Sequence, residues 1–251
     1  MANHSQPKIL ALWAVPRSTS TAFEWMMRTR GDMSCWHEPF GEVWYQGEIP
    51  DWPRLQPDSV RTPGLTYESR WAELLADLER GPVFIKDFPH YLDALRSDEF
   101  LSHFDHSFLI RDPARTITSM YKHWPDFDIR ETGFVEQRRL FDELTELIGN
   151  APPVIDSDDL LTNPEGVVGA WCDAVGIPQR PEALRWEPGP REEVSWWDGG
   201  AFHENLKNST GLTAQPRTSI DISEAPARVR YVYEQLRPHY EHLYAHRIAV
   251  T

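Results

Sequence analysis

The chain has 251 residues, enough to bury a core of its own, and a formal net charge of −14 that sets the long-range field against nucleic acid, anionic membrane and polyanionic substrates. No apolar run reaches the length of a membrane span and residues 1–7 lack the hydrophobic stretch of a signal peptide, so a soluble, cytoplasmic protein is expected. Cys35 and Cys172 are too few for a disulfide framework and lack metal-site spacing; each is expected as a buried thiol.

In chain order, the apolar run Ile9–Val15 has the length of a buried strand, and Glu24–Arg28 has helical spacing with Phe23, Met26 and Met27 on one side. Between them, Pro16-Arg17-Ser18-Thr19-Ser20-Thr21-Ala22 turns the strand into a helix. Such a turn points unpaired first-turn N–H groups into one concavity where the helix dipole favours negative charge. Four hydroxyls and Arg17 complete a phosphate cradle; the alternative is a polar turn whose hydroxyls only cap the helix. The turn has neither the glycines nor the lysine of the Walker pattern, so it is not the nucleoside-triphosphate form.

Met33–His37 reads as a second strand, ending at Glu38-Pro39, where a carboxylate is placed either for acid–base work or for an ion pair. Residues 41–66, rich in proline and aromatics (Trp44, Tyr45, Trp52), are expected to form a long loop, a lid over an acceptor. A helix over 67–80 ends at Gly81-Pro82. Val83-Phe84-Ile85 is a third strand delivering Lys86-Asp87, and Pro89-His90-Tyr91 opens another helical segment. His106–Ile110 is a fourth strand leading to Arg111; Asp112 serves as N-cap and Pro113 as the first helical residue, with Ser119 two turns on. A helix over 132–148 and a fifth strand at Val154-Ile155 follow. The cluster Asp156-Ser157-Asp158-Asp159 reads as turn and cap chemistry rather than a metal site. A helix begins at Asn163-Pro164, residues 179–222 form an irregular segment that can cap a cofactor or acceptor, and a last helix runs over 223–246 with His239, His242 and His246 read as solvated.

Strands alternating with helices imply a single α/β domain spanning 1–251, a P-loop-like, mainly parallel five-stranded sheet with helices on both faces. Ligands of such sheets bind outside the carboxyl ends of the strands, where Arg17 with Ser18–Thr21, Glu38, Lys86 and Arg111 converge.

With these residues in view, the chain resembles the family of sulfotransferases that use 3′-phosphoadenosine 5′-phosphosulfate, in a small, soluble, bacterial-type form. Pro16–Thr21 resembles the family's 5′-phosphosulfate loop, with Thr19 where a glycine is frequent. Arg111 and Ser119 match the arginine and serine that hold the 3′-phosphate, and Lys86 resembles the lysine on the bridging oxygen. The strand and helix starts from Val154 to Pro178 resemble the pattern beyond the cofactor site. Cytosolic members place a catalytic histidine two residues after that lysine, where Phe88 stands; other branches use a glutamate in an E-P context, which Glu38-Pro39 matches. The resemblance therefore implies Glu38 as base, with His37 and His90 as further candidates, and Lys207 with the Ser209-Thr210-Gly211 turn replacing the family's C-terminal cofactor segment. It implies transfer of a sulfuryl group to a hydroxyl or amine, release of adenosine 3′,5′-bisphosphate and no metal. Trp44, Tyr45, Trp52, Trp196 and Trp197 suggest a small, partly apolar or aromatic acceptor. A kinase-like phosphotransferase and a non-catalytic adenosine-bisphosphate-binding protein are the alternatives. The sequence leaves the acceptor's identity and the oligomeric state open.

Overall fold

Five parallel strands, β1 (Ile9–Ala14), β2 (Ser34–His37), β3 (Val83–Asp87), β4 (Phe104–Ile110) and β5 (Val154–Asp156), form one sheet in the order β2-β3-β1-β4-β5. The computed structural model describes residues 8–194, 204–217 and 220–250. β1 is apolar and buried at every position, as a central strand covered on both faces must be. It pairs Leu12 with Lys86 on one side and Ala14 with Leu109 on the other, so Val15, Glu38, Lys86 and Arg111 leave the sheet along one edge.

The helices are α1 (Ser20–Arg30), α2 (Pro39–Gln46), α3 (Tyr67–Leu78), α4 (Asp98–Leu101), α5 (Pro113–His123), α6 (Phe134–Ile148), α7 (Ser157–Thr162), α8 (Pro164–Val175), α9 (Glu204–Lys207) and α10 (Ala227–Tyr244). Asp112 caps α5 through Ala114 N–H at 2.8 Å with Pro113 as its first residue. Trp13, Phe23, Phe84, Phe108, Phe141 and Trp171 join one apolar cluster around the sheet, while Val15, Ile117, Phe127 and Leu236 form a second beneath α5 and α10.

Several expectations are corrected. The 41–66 stretch is a loop only after Gln46: Pro39 starts α2, whose Phe40, Val43 and Trp44 are buried, and burial of that face holds residues 41–46 helical. Pro89–Tyr91 is a single 3₁₀ turn, not the start of a longer helix. The 179–222 segment contains α9 and an antiparallel bridge between Arg185 and Gly211. Asp156 accepts hydrogen bonds from Asp158 N–H and Asp159 N–H at 3.0 and 3.1 Å, the cap chemistry read from the sequence, and opens α7. Of the histidines read as solvated, His242 is half-buried and meets Asp142 of α6 at 2.8 Å, while His246, just beyond α10, stays exposed beside the Phe141 ring. Cys172 is fully buried and Cys35 partly so, both as free thiols. Among the described residues no helix is long and apolar enough to cross a membrane.

Candidate active site

The turn after β1 holds two residues in the left-handed region, Arg17 at φ 64° and Thr19 at φ 72°. For an L-residue that conformation costs about 1–2 kcal/mol, which glycine would avoid. The Thr19 hydroxyl shares a hydrogen bond with Ser157 Oγ at 2.8 Å and does not cap α1, whose N-terminus has no side-chain cap. The reading of the hydroxyls as mere helix caps therefore fails for Thr19, and Ser20 and Thr21, whose first-turn N–H groups have no intrahelical partner, border the adjoining cavity. Ser18 Oγ is buried with no hydrogen-bond partner, a position that costs about 1–3 kcal/mol unless an acceptor arrives.

The second candidate anion element closes directly on this turn. Arg17 Nε donates to Ser119 Oγ at 3.0 Å, and Arg111 Nη1 donates to the Arg17 carbonyl at 2.8 Å. Burial lowers the pKa of both arginines, and Arg111 Nε is buried with no partner. Arg115, one turn before Ser119, pairs instead with Asp158 at 3.1 Å.

Glu38 is the third non-glycine residue with positive φ among the described residues, at 46°. All three, Arg17, Thr19 and Glu38, border one cavity of about 370 Å³; backbone strain of this kind concentrates where the surroundings hold a functional geometry. The surroundings here are β3. Glu38 N–H donates to the Lys86 carbonyl and Phe40 N–H to Asp87 Oδ2, both at 2.8 Å, which fixes the start of α2. Burial first, and Glu38 second, push the Asp87 carboxyl well above the usual carboxylate range. Lys86 is fully buried and ion-paired to Glu38.

The same cavity is bordered by Ser18, Ser20, Thr21, Ala22, Arg111 and Ser119 at one end, and by His37 with Glu38 at the wall. Three candidates lie outside its lining. Lys86 meets the cavity through Glu38, because its ammonium is spent on that carboxylate behind the wall. His90 is enclosed by the rings of Trp44, Phe88 and Tyr91, and burial depresses its pKa to about 3. Lys207 stands aside while Ser209, Gly211 and Gln215 from the same segment line the cavity.

The far end is aromatic. Tyr45, Phe88, Tyr91 and Trp124 border it, with Trp44 and Trp52 packed behind Tyr45 at 4.7 and 5.5 Å between ring centroids. Trp196 and Trp197 lie outside the described residues. Sequence reasoning missed Tyr91, Trp124 and Glu131. Glu131 is a buried carboxylate that accepts from Trp52 Nε1 at 3.0 Å and Arg54 Nε at 3.1 Å, tying the 47–66 loop to the cavity. Its sequence signal is the capping-box spacing Asp128-Ile129-Arg130-Glu131, which the structure forms. Among the described residues no group of three His, Cys, Asp or Glu side chains stands together to hold a metal ion.

A parallel α/β sheet brings an uncapped, hydroxyl-rich strand-to-helix turn, two partly buried arginines and a carboxylate to one cavity, a set of groups suited to an anionic ligand. The chain belongs to the sulfotransferase family: the sulfotransferase domain model matches residues 7–228, which places it among transferases. It is 27% identical over 247 residues, 94% of its length, to branched-chain-amino-acid aminotransferase-like protein 2 of Arabidopsis thaliana, and 26% identical over 263 residues to the like-named protein 1. It spans 42–43% of the length of these two relatives. The sulfotransferase domain from the curacin biosynthetic pathway shares its fold, with a TM-score of 0.51 at 13% identity, covering 92% of this chain and 98% of that one.

Proposed function

We propose that the protein transfers a sulfuryl group from 3′-phosphoadenosine 5′-phosphosulfate to a hydroxyl or amine of a small, partly apolar acceptor. The observation that carries this reading is the direct link between two sequence-distant anion elements, Arg17 to Ser119 and Arg111 to Arg17, around a cavity that Glu38 also borders. The residues present fit an adenosine bisphosphate: Ser18 Oγ and Arg111 Nε are buried donors without partners. The donor supplies an activated sulfuryl group.

In this proposal the first-turn N–H groups of α1, Ser18 and Arg17 hold the 5′ end of the donor, and Arg111 with Ser119 holds its 3′-phosphate. Glu38 accepts the proton of the acceptor. Lys86 holds Glu38 in place through their ion pair, and the strained backbone at residue 38 aims the carboxylate into the cavity. Ser209, Gly211 and Gln215 cover the nucleotide, and the Tyr45–Tyr91 end shapes the acceptor subsite. The test is incubation with labelled donor and a panel of apolar alcohols, phenols and amines. Acceptor-dependent release of adenosine 3′,5′-bisphosphate is expected; label transferred from ATP instead, or no release with any acceptor, overturns the reading.

A further inference from the structure

Glu24, on the second turn of α1, is wholly buried, and neither the anion elements nor the acceptor subsite uses it. Its Oε1 accepts from Arg28 Nε at 2.8 Å and its Oε2 from His37 Nδ1 at 2.6 Å, while Lys86 Nζ stands 3.9 Å away. Burial alone would raise its pKa; His37 foremost, then Lys86 and Arg28, outweigh that and hold it down to about 2. An ionised carboxylate can only accept, so the proton in the 2.6 Å contact belongs to His37 Nδ1. The opposite nitrogen, Nε2, lies 3.7 Å from Glu38 Oε1, and His37 borders the cavity. A 3.7 Å separation is open to tightening when substrate binds, as catalytic contacts commonly do. The charged and titratable groups around this imidazole are Glu24 and Arg28 on α1, Cys35 on β2, Glu38 before α2, and Lys86 and Asp87 on β3.

We infer that Glu24 is a positioning residue that fixes His37 with its proton on Nδ1 and Nε2 toward Glu38, so that His37 relieves Glu38 of the acceptor's proton. The inference rests on the transferase reading above. The acceptor O–H bond breaks as its oxygen bonds to sulfur, and the sulfur–oxygen bond to the donor's phosphate breaks with the electron pair leaving on that oxygen. The proton passes to Glu38 and then to His37 Nε2. The resulting imidazolium stays paired with the Glu24 carboxylate, and nothing is oxidised or reduced. A carboxylate that orients an imidazole in one tautomer is the logic of hydrolase triads; here the imidazole serves a second carboxylate.

The test uses the whole chain with ¹⁵N-labelled histidine, first without donor or acceptor. The expected wild-type spectrum shows His37 protonated at Nδ1 with an unprotonated Nε2. Glu24→Gln takes away the negative charge that stabilises the imidazolium formed in the relay. It should cut kcat by about 10²-fold, with both KM values unchanged. Glu24→Asp should restore the tautomer. His37 protonated at Nε2 in the wild type, or a kcat unmoved by Glu24→Gln, overturns the relay. The wild-type tautomer decides the point even where Glu24→Gln does not fold. A wild type that releases no adenosine 3′,5′-bisphosphate with any acceptor sinks the transferase reading and the relay with it, whereas the wrong tautomer sinks the relay alone.

Discussion

The two ends of the cavity are built by different means. The end near residues 15–21 is made of backbone N–H groups, hydroxyls and two partly buried arginines, joined by hydrogen bonds of 2.8 and 3.0 Å across more than ninety residues of sequence. The end near Tyr45 is made of rings packed edge to face, with its one buried carboxylate, Glu131, satisfied by Trp52 and Arg54. Charge-assisted hydrogen bonds demand particular residues at particular places, and ring packing demands only volume. The first end is therefore suited to one fixed ligand and the second to a shape.

Substitutions can break this contrast. The largest effect is expected at the boundary between the ends: Glu38→Gln should lower kcat by about 10²–10⁴-fold, the usual contribution of a positioned base. Donor Kd, measured by calorimetry, should stay within about twofold; a large change in Kd would mean that Glu38 serves binding. Next comes Arg111→Ala, which should weaken donor binding by about 10²-fold, since a hydrogen bond to a charged group is worth about 1.5–3 kcal/mol and 1.4 kcal/mol is tenfold. Tyr45→Leu should raise acceptor KM by about tenfold, the upper value of one aromatic contact, and leave donor Kd alone. A shift in donor Kd instead would put that ring against the nucleotide.

A further effect concerns stability. His90 has its pKa lowered from 6.5 to about 3, so between those values the unfolded chain binds a proton that the folded chain does not. Its contribution is fully favourable above pH 6.5 and is lost as pH falls toward 3. His90→Leu should flatten the stability–pH curve in that window by up to about 1.4 kcal/mol per pH unit. Denaturation midpoints at pH 6 and 4 check this, and an unchanged slope would contradict the assignment.

The same contrast explains what could be read in advance. The end near residues 15–21 was legible because strand, turn and helix are consecutive, and because Asp112-Pro113 fixes where Arg111 leaves the sheet. Thr19 at a glycine position looked like a departure; the left-handed φ of 72° shows that the turn keeps its shape and carries the strain. Periodicity placed all five strands, with ends off by one or two residues where burial continues into Lys86 and Asp87. The aromatic end was not legible, because Tyr91, Trp124 and Glu131 come to one cavity only through long-range packing. The strand places Lys86 at the expected edge, and its ion pair with Glu38, which the sequence does not signal, depends on the backbone at residue 38. Residues 41–46 were read as loop because aromatic and proline content hid a short helix that burial alone sustains.

The central claim is that one nucleotide is gripped at both ends by the Arg17 turn and by Arg111 with Ser119. Calorimetry with adenosine 3′,5′-bisphosphate and adenosine 5′-monophosphate, on wild type and Arg111→Ala, tests it most directly. Removing the 3′-phosphate and removing the Arg111 side chain should each weaken binding, and the two losses together should be little more than either alone. Fully additive losses, or equal affinity for the two nucleotides, would contradict the claim.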